Sequence, residues 1–192
     1  MGQIYSDADD RRWVRIEPTL TESGEIEVYN EFSLQHELGI HLRQRLAGRK
    51  VQFERNVSGY FPDKRAFTKR EIDICVLGAD GTQPELAVEL KYPRNGQHPE
   101  QMYHFCKDVA FAEELKRAGF AETAVLILAD DHLFREGSGD GIYGFFRGAR
   151  PLSGSIPKPT GTQGGEVTIR GSYDVRWQPL ANGSAYTLIV AD

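Results

Sequence analysis

The sequence predicts an α/β fold in which a mixed β-sheet is flanked by helices. Apolar residues recur at the helical spacing in two segments, 30–47 and 99–118. Two apolar runs enclose turn residues at 79–82, which is typical of a β-hairpin. The continuous apolar run within ETAVLILADDHLF indicates a buried central strand. Because helices and strands alternate along the chain, one mixed sheet with helices packed on it accounts for all of them.

The first helix has signals at both ends. Asn30 is suited to cap its N-terminus, and Gly48 is suited to end it. Its apolar stripe consists of leucines spaced by four residues: Leu34, Leu38, Leu42 and Leu46. This stripe is expected to face the sheet.

Similar signals place the other core elements. The second helix has Pro99 in its first turn and Gly119 directly after its last residue. Four short segments have the composition of strands: 51–57, 70–78, 85–92 and 123–130.

Composition divides the chain into three parts. Residues 1–29 are polar and irregular and form an N-terminal segment. Residues 30–136 contain the helices and strands of the core. Residues 137–192 contain Gly- and Pro-rich loops with strand-like pieces between them. We expect this last part to form a β-rich extension packed on the core.

Charge and cysteine content limit the functional classes. The 192 residues have a formal net charge of −5, so a nucleic-acid partner would need a local basic patch. Cys75 and Cys106 cannot form a disulfide framework and are typical of a reducing compartment, so a cytoplasmic location is expected. No apolar run approaches the length of a membrane span, and a membrane is not an expected partner.

The hairpin brings charged residues together. If it folds symmetrically about Gly81, Asp73 lies opposite Glu89. Directly opposed carboxylates repel each other in a purely structural sheet, whereas a divalent cation between them reverses the sign of that interaction. Mg²⁺ prefers oxygen ligands and is commonly held by one or two carboxylates. Asp73 and Glu89 are therefore candidate metal ligands. Lys91, two residues after Glu89 on the same strand face, could hold a water or stabilise charge on a phosphate.

A third carboxylate comes from the first helix. At about 100° per residue, Glu31 lies in the middle of the leucine stripe. It therefore points toward the sheet, where a carboxylate requires a partner. Glu31 is a candidate third metal ligand, and attraction to the helix dipole is the alternative explanation for its position.

Basic residues accompany these carboxylates. One cluster precedes the strand that carries Asp73, and consists of Lys64, Arg65, Lys69 and Arg70. Such a cluster could contact a phosphate backbone despite the acidic total. Ordinary solvated surface charge explains it equally well.

The arrangement resembles the PD-(D/E)XK nuclease superfamily, which has the restriction-endonuclease-like fold. The resemblance covers about residues 30–133. It consists of a helix carrying Glu (NEFSLQHELG), a strand carrying Asp (EIDIC), a strand carrying Glu-x-Lys (AVELK) and a following helix (PEQMYHF). Ile72 stands where the family motif has Pro, a departure that is common in the superfamily.

The resemblance implies a restriction-endonuclease-like core and a metal-dependent nuclease with Mg²⁺ or Mn²⁺ as its cofactor. By this resemblance Asp73, Glu89 and Glu31 bind the metal, and Lys91 assists the attacking water. Gln101 contributes a polar group from the second helix. Nucleic acid is the implied partner, with DNA favoured over RNA, and a homodimer is one option for its assembly.

Other functions remain open. A non-catalytic module that binds nucleic acid or protein could have the same fold, because a fold does not fix a function. A sugar hydrolase also uses two facing carboxylates, but it gives Lys91 no role. Solvated charges on an exposed sheet face, screened by Lys91, would explain Asp73 and Glu89 without any site.

Overall fold

A computed structural model of the chain describes residues 2–3, 15–16, 27–62, 67–94, 96–161 and 164–192. In chain order its elements are β1 (Gly2–Gln3), β2 (Arg15–Ile16), α1 (Glu31–Arg45), β3 (Lys50–Asn56), β4 (Glu71–Leu77), β5 (Pro84–Lys91), α2 (His98–Ala118), β6 (Glu122–Ala129), α3 (Tyr143–Phe146), β7 (Leu152–Pro157), β8 (Glu166–Tyr173), β9 (Gln178–Pro179) and β10 (Ala185–Val190).

Six strands form the central sheet, in the order β3-β4-β5-β6-β10-β9. Strands β5 and β6 are parallel and are connected through α2, whereas the other neighbours are antiparallel. The predicted mixed α/β architecture is therefore confirmed. The two predicted core helices and four predicted strands each begin and end within two residues of the observed bounds.

Local signals explain where the two long helices begin and end. Asn30 Oδ1 accepts a hydrogen bond from Ser33 N at 2.8 Å, and Ser33 Oγ accepts one from Asn30 N at 3.0 Å. This reciprocal capping satisfies backbone donors at the start of α1. Helix α2 ends at Gly119, whose φ of 131° is a conformation that residues with a Cβ rarely adopt.

The sheet separates two apolar layers. On one face the α1 leucines pack against Ile74 and Val88 of the hairpin. On the other face α2 packs against β6, and the β7–β8 hairpin packs in turn on α2. Strand β10 pairs with β6 inside the central sheet. Residues from the C-terminal part of the chain therefore complete the core.

We looked for helices that could cross a bilayer. Within the described ranges, none is both long and apolar enough to do so.

Candidate active site

The hairpin has the predicted register over three residue pairs, and the register shifts by one residue next to the turn, where Leu77 pairs with Pro84. Ile74 pairs with Val88, and Val76 pairs with Leu86, as expected for folding about Gly81. Gly81 has a φ of 76°, and its N–H donates to the carbonyl of Gly78 at 2.8 Å. Regular pairing between the two strands ends at Ile74 and Val88. Asp73 and Glu89 are therefore the next residues beyond the last pair, Asp73 before Ile74 and Glu89 after Val88.

Strand β4 loses its regular alternation at Asp73. Ile72 and Ile74 would share a face in a regular strand, but they pack in two different apolar clusters. On the neighbouring strand the partner position is Glu54, which has a left-handed φ of 48°. Such a conformation costs on the order of 1–3 kcal/mol in a residue other than glycine and is concentrated at functional sites.

Side chains bind the backbone groups that this irregularity leaves unpaired. Asp73 N donates to Glu89 Oε1 at 3.4 Å, and Asp73 O accepts from Gln35 Nε2 at 2.9 Å. The carboxylate of Asp73 in turn accepts from Leu90 N at 2.7 Å. Burial raises the pKa of Asp73, although the ammonium of Lys69 and the Leu90 N–H act in the opposite direction. The position of this carboxylate is fixed by the main chain of the neighbouring strand.

Glu89 lies inside the protein, with only 1% of its surface exposed. Its Oε2 accepts a hydrogen bond from Lys69, and the same ammonium donates to Asp108 Oδ1 at 2.8 Å. Burial raises the pKa of Glu89 well above its ordinary value, and the neighbouring Asp73 charge raises it further. Asp108, on α2, is also buried, and its Oδ2 has no hydrogen-bond partner in the described part of the chain.

The ammonium of Lys91 lies between a carboxylate of α1 and a carboxylate of α2. Its Nζ lies 3.3 Å from Glu31 Oε1 and 3.6 Å from Asp108 Oδ2. It also donates to Leu90 O at 2.7 Å. Burial alone would lower the pKa of Lys91, but the carboxylates of Asp108 and Glu31 outweigh it, and the pKa is raised. Lys91 is therefore a cation at neutral pH.

A cavity of about 200 Å³ opens beside these groups. It is lined by Glu31, Phe32, Gln35, Glu54, Asp73 and Leu90. Three of its six lining residues are carboxylates that come from α1, β3 and β4. Glu31 anchors one wall, since its Oε2 accepts from Tyr92 N at 3.3 Å. The prediction that Glu31 points toward the sheet agrees with its contacts to Lys91 Nζ and Tyr92 N.

The structure brings together four of the five predicted site residues: Glu31, Asp73, Glu89 and Lys91. Gln101 is half-buried in the first turn of α2, and among the described residues it has no side-chain hydrogen bond to any of these four. Asp108 supplies the polar group from α2 instead. It follows Gln101 by seven residues, which places both near the same side of the helix but about 10 Å apart along the axis.

Sequence reasoning missed Asp108, Glu54 and the role of Lys69. An acidic residue between Phe105 and Val109, on the buried side of α2, was the signal for Asp108. Lys69 was expected to contact a phosphate or solvent, but it forms ion pairs with two buried carboxylates. Lys64 and Arg65, from the same basic cluster, lie outside the described residues.

Charge and donor type fit a divalent cation. Four carboxylates, Glu31, Asp73, Glu89 and Asp108, stand against two ammonium groups, those of Lys69 and Lys91. Four negative minus two positive charges leave a formal −2. Within the described ranges, no three Asp, Glu, His or Cys side chains already form a metal-binding group. The ammonium of Lys69 bridges Glu89 and Asp108, so binding a metal between those two requires Lys69 to move.

We compared the chain with protein-family models, with curated proteins and with solved structures. No match was found in any of the three.

Proposed function

We propose that this protein is a metal-dependent nuclease with a restriction-endonuclease-like core, and that it hydrolyses phosphodiester bonds, preferentially in DNA. The observation that carries the proposal is the convergence of four carboxylates from α1, β4, β5 and α2 around Lys91. These carboxylates carry more negative charge than the nearby lysines offset. A divalent cation and a phosphodiester are the partners that such a site accommodates.

The residues have distinct roles in this proposal. Asp73, Glu89 and Asp108 are the ligands for Mg²⁺ or Mn²⁺, and Glu31 completes the set from α1. When bound, the metal supplies a Lewis acid that polarises the phosphate and lowers the pKa of a coordinated water. Lys91 is held between Glu31 and Asp108, where its ammonium orients the attacking water or stabilises charge on the phosphate. The water oxygen bonds to phosphorus while the bond between phosphorus and the leaving oxygen breaks. The attacking water releases a proton to solvent, and the leaving oxygen takes one up.

One observation favours a second candidate, a non-catalytic nucleic-acid- or protein-binding module. Lys69 already forms ion pairs with Glu89 and Asp108. An internal counter-ion of this kind stabilises the carboxylates without a metal, as expected if these carboxylates have a purely structural role. The two candidates differ in whether a divalent cation binds at Asp73.

The test is the Asp73→Asn variant. Asn retains an acceptor for the Leu90 N–H but removes one charge beside Glu89. We expect it to abolish Mg²⁺-dependent cleavage and to melt at the wild-type temperature or slightly higher in EDTA, because repulsion of the buried Glu89 is relieved. Mg²⁺ should raise the wild-type midpoint and leave the variant nearly unchanged. At roughly 100 times Kd the stabilisation is about 2.7 kcal/mol.

The matched control is Asp174→Asn. Asp174 pairs with Arg176 at an exposed position and has no contact with the site. This variant should cleave as wild type does and show the wild-type Mg²⁺ shift. Equal Mg²⁺ shifts in the wild type and in Asp73→Asn would exclude Asp73 as a ligand. Nucleic-acid binding without turnover in the wild type would favour the non-catalytic module.

A further inference from the structure

A second cavity, of about 490 Å³, lies between α2 and β8. Its basic residues come from both walls: Lys107 and Arg117 from α2, and Arg170 from β8. Along β8, buried and exposed residues alternate, so Thr168 and Arg170 face outward beside the helix. We call this cavity the α2–β8 groove.

The walls of the groove are fixed to each other. The buried carboxylate of Glu113, on α2, accepts from Arg170 N at 3.0 Å, from Gly171 N at 2.7 Å and from Tyr173 Oη at 3.0 Å. This carboxylate holds β8 against the helix by charge-assisted hydrogen bonds. The spacing between the cations on the two walls is therefore set by the fold.

Three cations line the groove, and none has a carboxylate partner among the described residues. In the described part of the chain, Lys107, Arg117 and Arg170 form no ion pair, and Arg117 donates only to the backbone carbonyl of Glu113. Five basic side chains elsewhere are paired: Arg49 with Glu85, Arg94 with Asp130, Lys116 with Glu122, Lys158 with Glu100 and Arg176 with Asp174. Other described cations without an ion pair, such as Arg43 and Lys50, do not line this groove. In a chain with a net charge of −5, three unpaired cations along one groove indicate an anionic ligand.

Two carboxylates also line the groove. Glu114 is bound by Thr68, whose N and Oγ1 both donate to it at 2.6 Å. Glu166 is the other, at the exposed start of β8. Three cations against two carboxylates leave the groove at +1, whereas the cavity beside Asp73 has three carboxylates.

Two residues that line the groove are sequence neighbours of residues at the candidate active site. Lys107 directly precedes Asp108, and Thr68 directly precedes Lys69. Lys107 and Arg117 are ten residues apart on one helix, which is about 15 Å along its axis. The rise per phosphate of one strand along the axis of B-DNA is about 3.4 Å, so that length spans about four phosphates of a duplex strand.

We infer that the α2–β8 groove binds the phosphate backbone of a nucleic-acid strand and directs it toward the carboxylates of the site. The inference deepens the proposed function, on which its second part rests. Lys107, Arg117 and Arg170 neutralise successive phosphates, so the groove contributes affinity without base specificity. Tyr103 and Thr168 supply hydroxyl donors along the same path.

The test measures binding without metal. Fluorescence anisotropy follows a labelled twelve-nucleotide single strand, as DNA and as RNA, in EDTA over a range of salt concentrations. Lys107→Gln and Arg170→Gln should each weaken binding about fivefold at about 0.1 M salt. Each lost phosphate contact makes the negative slope of log K against log salt less steep by about 0.7. Lys107→Arg should retain wild-type binding, and Arg176→Gln, outside the groove, should be unaffected.

Wild-type affinity in both Gln variants, or no measurable binding by the wild type, overturns the inference. An equal loss of affinity in Arg176→Gln also overturns the inference, because the net charge of the protein would then explain the effect without the groove. Melting midpoints of the Gln variants should match the wild type, since neither side chain forms an ion pair among the described residues. The Asp73→Asn variant should bind the strand at least as tightly as wild type in EDTA. Groove-dependent binding without Mg²⁺-dependent cleavage would therefore reject the proposed nuclease and leave the groove in place.

Discussion

At the level of single residues, Glu89 determines how the site responds to pH. Its carboxyl group is almost completely buried, with Asp73 as a like-charged neighbour and Lys69 as its direct cationic partner. Burial and the Asp73 charge favour the protonated form, while Lys69 favours the ionised form. The first two effects are larger, and the pKa is raised.

The raised pKa predicts the sign of a stability change. In EDTA, the unfolding free energy of the wild type minus that of Glu89→Gln should fall as pH rises above about 4.5, the ordinary pKa of a glutamate. In this range the unfolded chain has already released the proton that the folded chain retains, so ionising Glu89 then costs folding free energy. The loss continues up to the pKa of the folded state and amounts to about 1.4 kcal/mol for each pH unit that separates the folded and unfolded pKa values. Urea unfolding at a series of pH values from acidic to neutral measures it.

Asp131 provides a control of opposite sign. Its pKa is lowered, chiefly by the hydrogen bond to His98 and also by that from Leu133 N. The wild type should therefore lose stability relative to Asp131→Asn as pH falls below about 3.8, the ordinary pKa of an aspartate, toward the lowered pKa of the folded state, and not as pH rises. For Glu89 the contradicting result is a wild-type unfolding free energy, minus that of Glu89→Gln, that stays constant or grows as pH rises. It would show that Glu89 does not have the buried environment described above.

The sequence was sufficient to predict Asp73, Glu89, Lys91 and Glu31 as neighbours because each depends on a short-range rule. Strand alternation places Glu89 and Lys91 on one face, the turn centred on Gly81 brings Asp73 near them, and the helical period places Glu31. Lys69 and Asp108 could not be paired in this way. Lys69 lies in a loop and Asp108 lies about three turns along α2, so their contact depends on how the helix packs on the sheet.

At the level of elements, the site depends on the loop before β4 remaining attached to α2. Glu114 binds Thr68 in that loop, and Lys69 follows it into the space between β5 and α2. The ammonium of Lys69 is therefore both a link between elements and an occupant of the position between two candidate ligands. Its removal should separate these two roles.

Lys69→Met is the corresponding variant. It retains the aliphatic stem but leaves Glu89 and Asp108 buried beside fewer positive charges. In EDTA we expect a loss of about 3 kcal/mol, at the lower end of the range for a broken buried pair, because 26% of the Lys69 side chain is exposed. If the carboxylates bind a divalent cation, Mn²⁺ should restore more stability to this variant than to the wild type. Thermal melts with and without Mn²⁺ measure both effects.

Lys116→Met is the control for Lys69→Met. The Lys116 side chain is 27% exposed and pairs with Glu122 at 3.3 Å, but that carboxylate is 19% exposed rather than buried. Partly solvated pairs contribute about 0–1 kcal/mol. Equal losses in the two Met variants would show that Lys69 stabilises the fold no more than a surface lysine does.

At the level of the whole molecule, the C-terminal third of the chain has a structural role that its composition did not predict. Gly- and Pro-rich segments suggested an extension packed on a core of residues 30–136. In the structure, β10 pairs with β6 over six residue pairs, and Ile156 and Ile169 of the β7–β8 hairpin contribute to the apolar cluster around α2. The strand pattern of residues 185–190 was visible in the sequence. Its partner was not, because pairing between distant segments has no local signal.

A chain shortened to residues 1–136 should therefore not fold as a stable unit. It would leave the β6 edge unpaired and expose the α2 side chains that now pack on β8, and an exposed apolar edge promotes aggregation. We expect it to bind a hydrophobic dye, to retain helical circular dichroism and to lose a cooperative melt. Co-expression with residues 137–192 as a separate piece should restore that melt, because the missing strand and hairpin are then supplied in trans. A sharp transition of the 1–136 piece alone, near the full-length midpoint, would show instead that the core is self-sufficient and that β10 is an accessory strand.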